Sequence, residues 1–198
     1  MVKRTKDAGQ KFQKEKKEFE EELLHIARVT RVVKGGRRLR FRATVAIGDK
    51  KGKVALGVGK SLEVATAVQK AIAKAKKAII KVPLTESLSI PYEVKIKFKA
   101  AKLIMMPASE GTGVKAGGVV RKIFDVAGIH NVIAKRLGST NPLVNAQATM
   151  LALNELIALA EMNEDKKNQK KIKLEEQAKN KVEKNKKTEV VEKLEEVA

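Results

Sequence analysis

The chain contains no cysteine and no tryptophan. Without cysteine there is no disulfide, no thiolate metal site and no cysteine nucleophile. Two histidines, His25 and His130, are too few for a three-histidine metal centre, and neither a metal nor a cofactor is expected. Five phenylalanines and one tyrosine give an aromatic share of 3%, which argues against a surface built from rows of base-stacking rings. No run of about 18 apolar residues occurs, so no segment is expected to span a membrane. The Lys-rich start has no apolar stretch behind it and does not read as a signal peptide. Acids are scarce: 23 Asp and Glu stand against 43 Lys and Arg, a net charge of +20 over 198 residues. That excess suits a polyanionic partner, either nucleic acid or an anionic membrane surface. A hydrophobic share of 43% supports a real core, and the length allows one mid-sized domain or two small ones.

The charge is unevenly placed. Residues 1–22 carry a net charge of +1, residues 163–198 carry +2, and residues 23–162 carry +17. The segment 163–198 has no Gly, Pro or aromatic residue, and its Lys/Glu mixture suits a solvated helix or a disordered extension. Residues 1–19 are expected to be a second charged extension, with one domain at 20–84 and another at 85–162. Six of the nine arginines (Arg28, Arg31, Arg37, Arg38, Arg40, Arg42) fall within residues 28–42. The guanidinium fork meets a phosphate with two hydrogen bonds, so such a cluster marks a contact surface better than dispersed lysines do.

In the first domain, Leu39, Phe41, Ala43, Val45 and Ile47 alternate with Arg38, Arg40, Arg42, Thr44 and Ala46. This is the pattern of a half-buried strand with three arginines outward. Val29, Val32 and Val33 suggest a partner strand, and Gly35-Gly36 suits a two-residue hairpin turn flanked by Lys34 and Arg37. A turn at 49–52 leads to a third strand through Val54, Leu56 and Val58. A helix then starts near Ser61, with Val64, Val68, Ile72, Ala75 and Ile79 as its apolar stripe and Lys70, Lys74, Lys77 and Lys81 opposite. Three antiparallel strands with one helix make an α+β layer. Gly59-Lys60-Ser61 resembles the end of a phosphate-binding loop, but Val54 stands where that loop needs another glycine. A single phosphate at the helix N-terminus fits better than a bound nucleotide.

In the second domain, Tyr92, Val94, Ile96 and Phe98 alternate with Glu93, Lys95, Lys97 and Lys99 as a strand, and Leu103 to Met106 form another, stopped by Pro107. A glycine-rich loop follows to Gly118, then a helix from about Val119 to Ala127 stopped by Gly128. Ile129 to Ile133 reads as a short strand. Asn141 caps a last helix to about Met162, with Leu143, Met150, Leu153 and Ile157 as its buried stripe. The fold class is therefore α+β in two small domains, the second a sheet with two helices. Gly111, Gly113 and Ala116 match a dinucleotide fingerprint numerically, but no acid closes the following strand for a ribose. The eight acids of residues 23–162 are scattered, and no catalytic constellation is visible, so the chain reads as a non-enzyme.

These motifs, in this order, resemble the protein-five family of the bacterial small ribosomal subunit. The resemblance covers residues 20–162. It rests on Val33-Lys34-Gly35-Gly36-Arg37, Gly48-Asp49 with Gly52-Lys53-Val54, Gly57 with Gly59-Lys60, and Pro107-Ala108-Ser109-Glu110-Gly111-Thr112-Gly113. It continues through Ala116-Gly117-Gly118, Ala127-Gly128-Ile129 and Gly138-Ser139-Thr140-Asn141-Pro142. The resemblance implies a first domain similar to double-stranded-RNA-binding folds, a second domain whose sheet contains a βαβ unit, and a cytoplasmic place in the small subunit beside ribosomal proteins four and eight. It also implies ribosomal RNA contact through Arg31 to Arg40, an influence on decoding accuracy, and a position lining the channel by which messenger RNA enters. The loop from Glu110 to Arg121 matches the family's interface with protein four.

From residues and resemblance together, the expected RNA-binding set is Arg28, Arg31, Lys34, Gly35, Gly36, Arg37, Arg38, Arg40, Arg42, Lys53 and Lys60. The expected protein-four interface is Glu110, Gly111, Thr112, Gly113 and Arg121. No cofactor, membrane or second copy of the chain is expected as a partner. The competing reading is a free RNA chaperone that binds duplex RNA.

Overall fold

The computed structural model describes residues 19–163. The extensions expected at 1–19 and 163–198 thus lie, but for Phe19 and Asn163, outside the described residues.

The first sheet is antiparallel. It joins β1 (Glu20–Val33), β2 (Gly36–Gly48), β3 (Lys53–Ser61) and the two-residue β4 (Ile80–Lys81), in that order. The three strands expected are therefore four, because two residues carry no readable alternation. The helix α1 (Val64–Ala75) is shorter than its pattern suggests. Glu63 is its N-cap, Ser61 closes β3, Lys77 and Ile79 follow the helix, and Lys81 belongs to β4. Its buried face is Ala67, Ala71 and Ala75, while Val68 and Ile72 are only partly buried. The cause lies in the sheet: a Cβ built at Gly57 or Gly59 would run into the carbonyls of Ala71 or Ala67. Backbone meets backbone there, and only alanine is small enough to face it.

The second sheet joins β5 (Val94–Phe98), β6 (Ala101–Pro107), β7 (Val114–Lys115) and β8 (Val132–Gly138) in the order β5-β6-β8-β7. β7 and β8 are parallel, and α2 (Gly118–Ala127) crosses between them, which makes the expected βαβ unit. Gly128 stops α2 at φ 80, and the Ile129 N–H donates to the Phe124 carbonyl at 3.0 Å. The strand expected at residues 129–133 begins later, at Val132. The last helix, α3 (Pro142–Asn163), is long and apolar enough to cross a membrane by length and composition alone. Here Ala146, Ala152, Leu153 and Leu156 sink one face of it into the core, while Leu143, Met150 and Ile157 of the expected stripe are only partly buried. Its start is as expected: Asn141 Oδ1 accepts the Leu143 N–H at 3.1 Å.

The two sheets share one core. Ala46 and Val54, on the face of the first sheet away from α1, cluster with Val120, Ile123, Phe124, Leu153 and Leu156. The β2–β3 turn is stitched to the end of α2, where the Lys50 N–H donates to the Val126 carbonyl at 3.1 Å and the Gly52 N–H to the Ala127 carbonyl at 2.9 Å. Two ion pairs flank this seam, Glu20 with Lys50 at 2.7 Å and Glu22 with Lys122 at 2.6 Å. β1, β2 and α2 are thereby tied into one body, which gives the hairpin described next a fixed base.

Candidate nucleic-acid interface

β1 and β2 are longer than the sheet they belong to. β3 pairs with β2 only as far as Phe41, opposite Ser61. Residues 36–40 and their partners on β1 continue as a two-stranded arm for about 17 Å at the usual strand rise. Lys34 to Arg40 are all exposed along it. The tip differs from expectation. Val33 pairs with Gly36, so the two loop residues are Lys34 and Gly35, and Gly36 opens β2 at φ 139.

The register decides which cations act together. Arg38 lies opposite Arg31, Arg40 opposite Val29, and Arg42 opposite both Ala27 and Lys60. Cross-strand partners share a face, so Arg31, Arg38, Arg40, Arg42 and Lys60 form one cationic face. Arg28 pairs with Phe41 and Arg37 with Val32. These two arginines therefore lie on the reverse face, beside Val32, which is 76% exposed, and Leu39. Lys53 is separated from both groups. It stands at the other end of β3, opposite Lys81, about 23 Å along the strand from Lys60. Of the expected RNA-binding set, the structure thus unites five side chains on one face with Lys34, Gly35 and Gly36 at the tip.

No acid occurs between Glu22 and Asp49. Among the described residues, the ion pairs join Lys50, Lys95 and Lys122 to glutamates, and none involves an arginine of the arm. Like charges directly opposite on a sheet destabilise it. Arg31 with Arg38 and Arg42 with Lys60 are two such pairs, unrelieved within the described protein. A polyanion laid on the face relieves both and releases its own counterions on doing so. At the root of this face, His25 Nδ1, Arg42 Nε and Thr44 Oγ1 are buried and make no hydrogen bond within the described residues. His25 and Thr44 are register partners, placed there by a bulge in β1 between Leu23 and His25. Strand alternation alone does not show a bulge, so it sets Thr44 on the face of the arginines without showing that Thr44 is buried there against His25.

Gly57 to Ser61 form part of β3, not a loop. The two glycines are there for contact with α1, and the helix N-cap is the acid Glu63. A phosphate at that N-terminus, expected from the Gly-Lys-Ser sequence, is therefore not supported.

The loop holding Glu110, Gly111, Thr112 and Gly113 is built separately. Gly111 and Gly113 have φ values of 81 and 71 with open space around them. The Thr112 N–H donates to the Ser109 carbonyl at 3.3 Å, and the Gly113 N–H donates to Asn131 Oδ1 at 3.3 Å. Asn131 also donates to the Ser87 carbonyl at 2.7 Å, a positioning role no sequence motif announces. Arg121 has a different setting: it lines a cavity of about 510 Å³ with Glu20, Glu22, Lys50, Lys122 and Asp125.

Comparison with known proteins agrees with this architecture. Residues 19–83 match the N-terminal domain of ribosomal protein S5, and residues 96–166 match its C-terminal domain. The small ribosomal subunit protein uS5 of Nostoc punctiforme is 46% identical over 166 residues, which is 84% of this chain and 95% of that protein. The protein of the same name from Trichormus variabilis is 48% identical over 153 residues, 77% of this chain and 88% of that protein. Protein uS5c of Cyanophora paradoxa is 47% identical over 156 residues, 79% of this chain and 92% of that protein. Matched in both halves and in order, the chain belongs to the ribosomal protein S5 family of the small ribosomal subunit.

Proposed function

We propose that the arm holds ribosomal RNA by its phosphates, through Arg31, Arg38, Arg40, Arg42 and Lys60, with Lys34 and the Gly35–Gly36 backbone reaching furthest from the body. The observation that carries this reading is the pairing of Arg31 with Arg38 and of Arg42 with Lys60 on an acid-free ribbon. Base-edge readout is a small part of it, since flat guanidinium groups on a two-stranded ribbon suit backbone and shape recognition. The work is structural rather than catalytic: the chain fixes RNA in the small subunit and supports its assembly and decoding accuracy. The open loop from Glu110 to Gly113 is proposed to face ribosomal protein four, and Arg121 to serve the cleft beside β1 instead. Contacts with ribosomal protein eight and with messenger RNA in its channel complete the reading as proposals from the family.

Replacing Arg38, Arg40 and Arg42 together with Ala is expected to weaken binding to small-subunit ribosomal RNA. The slope of log affinity against log salt is expected to fall by about one unit for each phosphate that the variant no longer neutralises. An unchanged slope would sink the assignment. In cell lysate, the wild-type chain is expected to stay with small subunits through a high-salt wash. A large pool away from them would favour a free RNA chaperone.

A further inference from the structure

Among the described residues, the second sheet is covered on one face only. Val94, Leu103, Met105 and Ala134 point into the core. On the other face the register builds a grid of rows. Lys95 lies opposite Ile104, and Ile104 opposite Lys135. In the next row Lys97 lies opposite Lys102, and Lys102 opposite Leu137. A third row runs from Met106 through Ile133 to Lys115. All five lysines are exposed, and so are Met106 and Leu137. Beside β7, Lys115 and Lys135 border an open hollow of about 410 Å³, and Arg136, whose register partner is the core residue Leu103, reaches it from the covered face. The described charge of opposite sign is Glu93, which holds Lys95 at 2.8 Å.

This face repeats the signature of the arm. Lys97 and Lys102 are like charges placed directly opposite on neighbouring strands, an arrangement that costs stability unless something anionic lies across it. The apolar centre does not argue otherwise. Lysine stems lie along Ile104 and Leu137 while their ammonium groups reach solvent, which is how long cationic side chains sit on an apolar surface.

We propose that the open face of the second sheet is a second RNA-phosphate surface, carried by Lys95, Lys97, Lys102 and Lys135. The occupant is RNA backbone rather than an acidic protein. Lysine is a hydrated point charge that meets a phosphate in any orientation, and the grid offers several such charges in two adjoining rows. The proposal rests on the reading of the chain as an RNA-binding protein, but not on the arm.

The test uses the full chain and a 30-base-pair RNA duplex, with affinity measured across a salt series. Four variants are compared with wild type, one of them Lys→Arg at the four sheet positions. The sheet variant carries Lys95→Gln, Lys97→Gln, Lys102→Gln and Lys135→Gln. The arm variant carries Arg38→Ala, Arg40→Ala and Arg42→Ala. A charge-matched control carries Lys70→Gln, Lys74→Gln, Lys76→Gln and Lys77→Gln, four exposed lysines around α1. The sheet variant is expected to lower the salt slope by about two to four units, one for each phosphate left without its lysine. The control is expected to lower it by less than one unit, and Lys→Arg at the four sheet positions to keep the wild-type slope. The urea midpoint of the sheet variant is expected to stay level or rise, since the Lys97–Lys102 repulsion is gone. A wild-type slope in the sheet variant while the arm variant falls overturns the second surface and leaves the arm reading standing. The reverse result supports the second surface and removes the arm. An equal fall in sheet variant and control means diffuse charge and also overturns the proposal.

Discussion

At Gly57 the missing side chain is what lets α1 lie against β3. A Cβ there would meet the Ala71 carbonyl, which is backbone and has no rotamer to yield. Gly57→Ala is expected to push the helix off the sheet and cost about 1–3 kcal/mol or more, as overpacking does, read as a lower urea midpoint. An unchanged midpoint would mean that the helix can move without loss. The alanines of α1 answer these glycines. Hydropathy favours Val68 and Ile72 as the buried stripe, yet closeness of approach selects Ala67, Ala71 and Ala75. The arginines need the reverse treatment. Their residue type and density are plain in the sequence, but their usefulness depends on a neighbour on another strand: Arg38 gains its meaning from Arg31, seven residues away and directly opposite.

Among the elements, the β2–β3 turn is the most constrained by its chemistry. Asp49 Oδ1 accepts the N–H groups of Lys51 at 2.8 Å and Lys53 at 3.0 Å. Burial pushes the Asp49 carboxyl up, but those two backbone bonds and the Lys53 charge outweigh it and hold it below the ordinary aspartate value. A carboxyl lowered in the folded state contributes stability that is complete above its ordinary value and is lost as pH falls through the lowered one. Asp49→Ala is therefore expected to cost about 1–2 kcal/mol near neutrality for two hydrogen bonds. The gap from wild type should close in acid below the aspartate range. Urea unfolding at both pH values checks this, and a gap that persists in acid would show that the turn does not depend on the carboxylate. The alternation of β2, β5 and β6 makes those strands legible in the sequence. β4 and β7, two residues each, are not, since they exist only because a neighbouring strand offers them hydrogen bonds.

For the molecule as a whole, the seam between the sheets matters most. Gly128 holds φ 80 with its α-carbon against the Lys50 backbone, so an added Cβ would overlap the Lys50 carbonyl. The glycine thus serves two ends at once, stopping α2 and admitting the β2–β3 turn. Gly128→Ala is expected to lose about 2–4 kcal/mol, from the left-handed backbone and the overlap together. Because Ala46 and Val54 of the first sheet share a core with Phe124 and Leu156, the loss should appear as one cooperative transition at lower urea. Separate unfolding of the two sheets in wild type would contradict the shared core. The arm depends on the same seam, for β1 is held to α2 by Glu22 and Lys122 and carries Arg31 at its far end.

By itself the sequence determined the charge excess, its concentration in residues 28–42, the main strands and helices, and the family resemblance, because composition, alternation and ordered motifs are local properties. The tertiary structure alone decided which cations join Arg38, Arg40 and Arg42, the three that alternation already puts on one face. Strand pairing puts Arg31, Arg38, Arg40, Arg42 and Lys60 on one face, turns Arg28 and Arg37 to the other, and leaves Lys53 at the distant end of β3. Register is a relation between two strands and not a property of either, and the strand period of two sends a side chain to the opposite face for every single-residue shift.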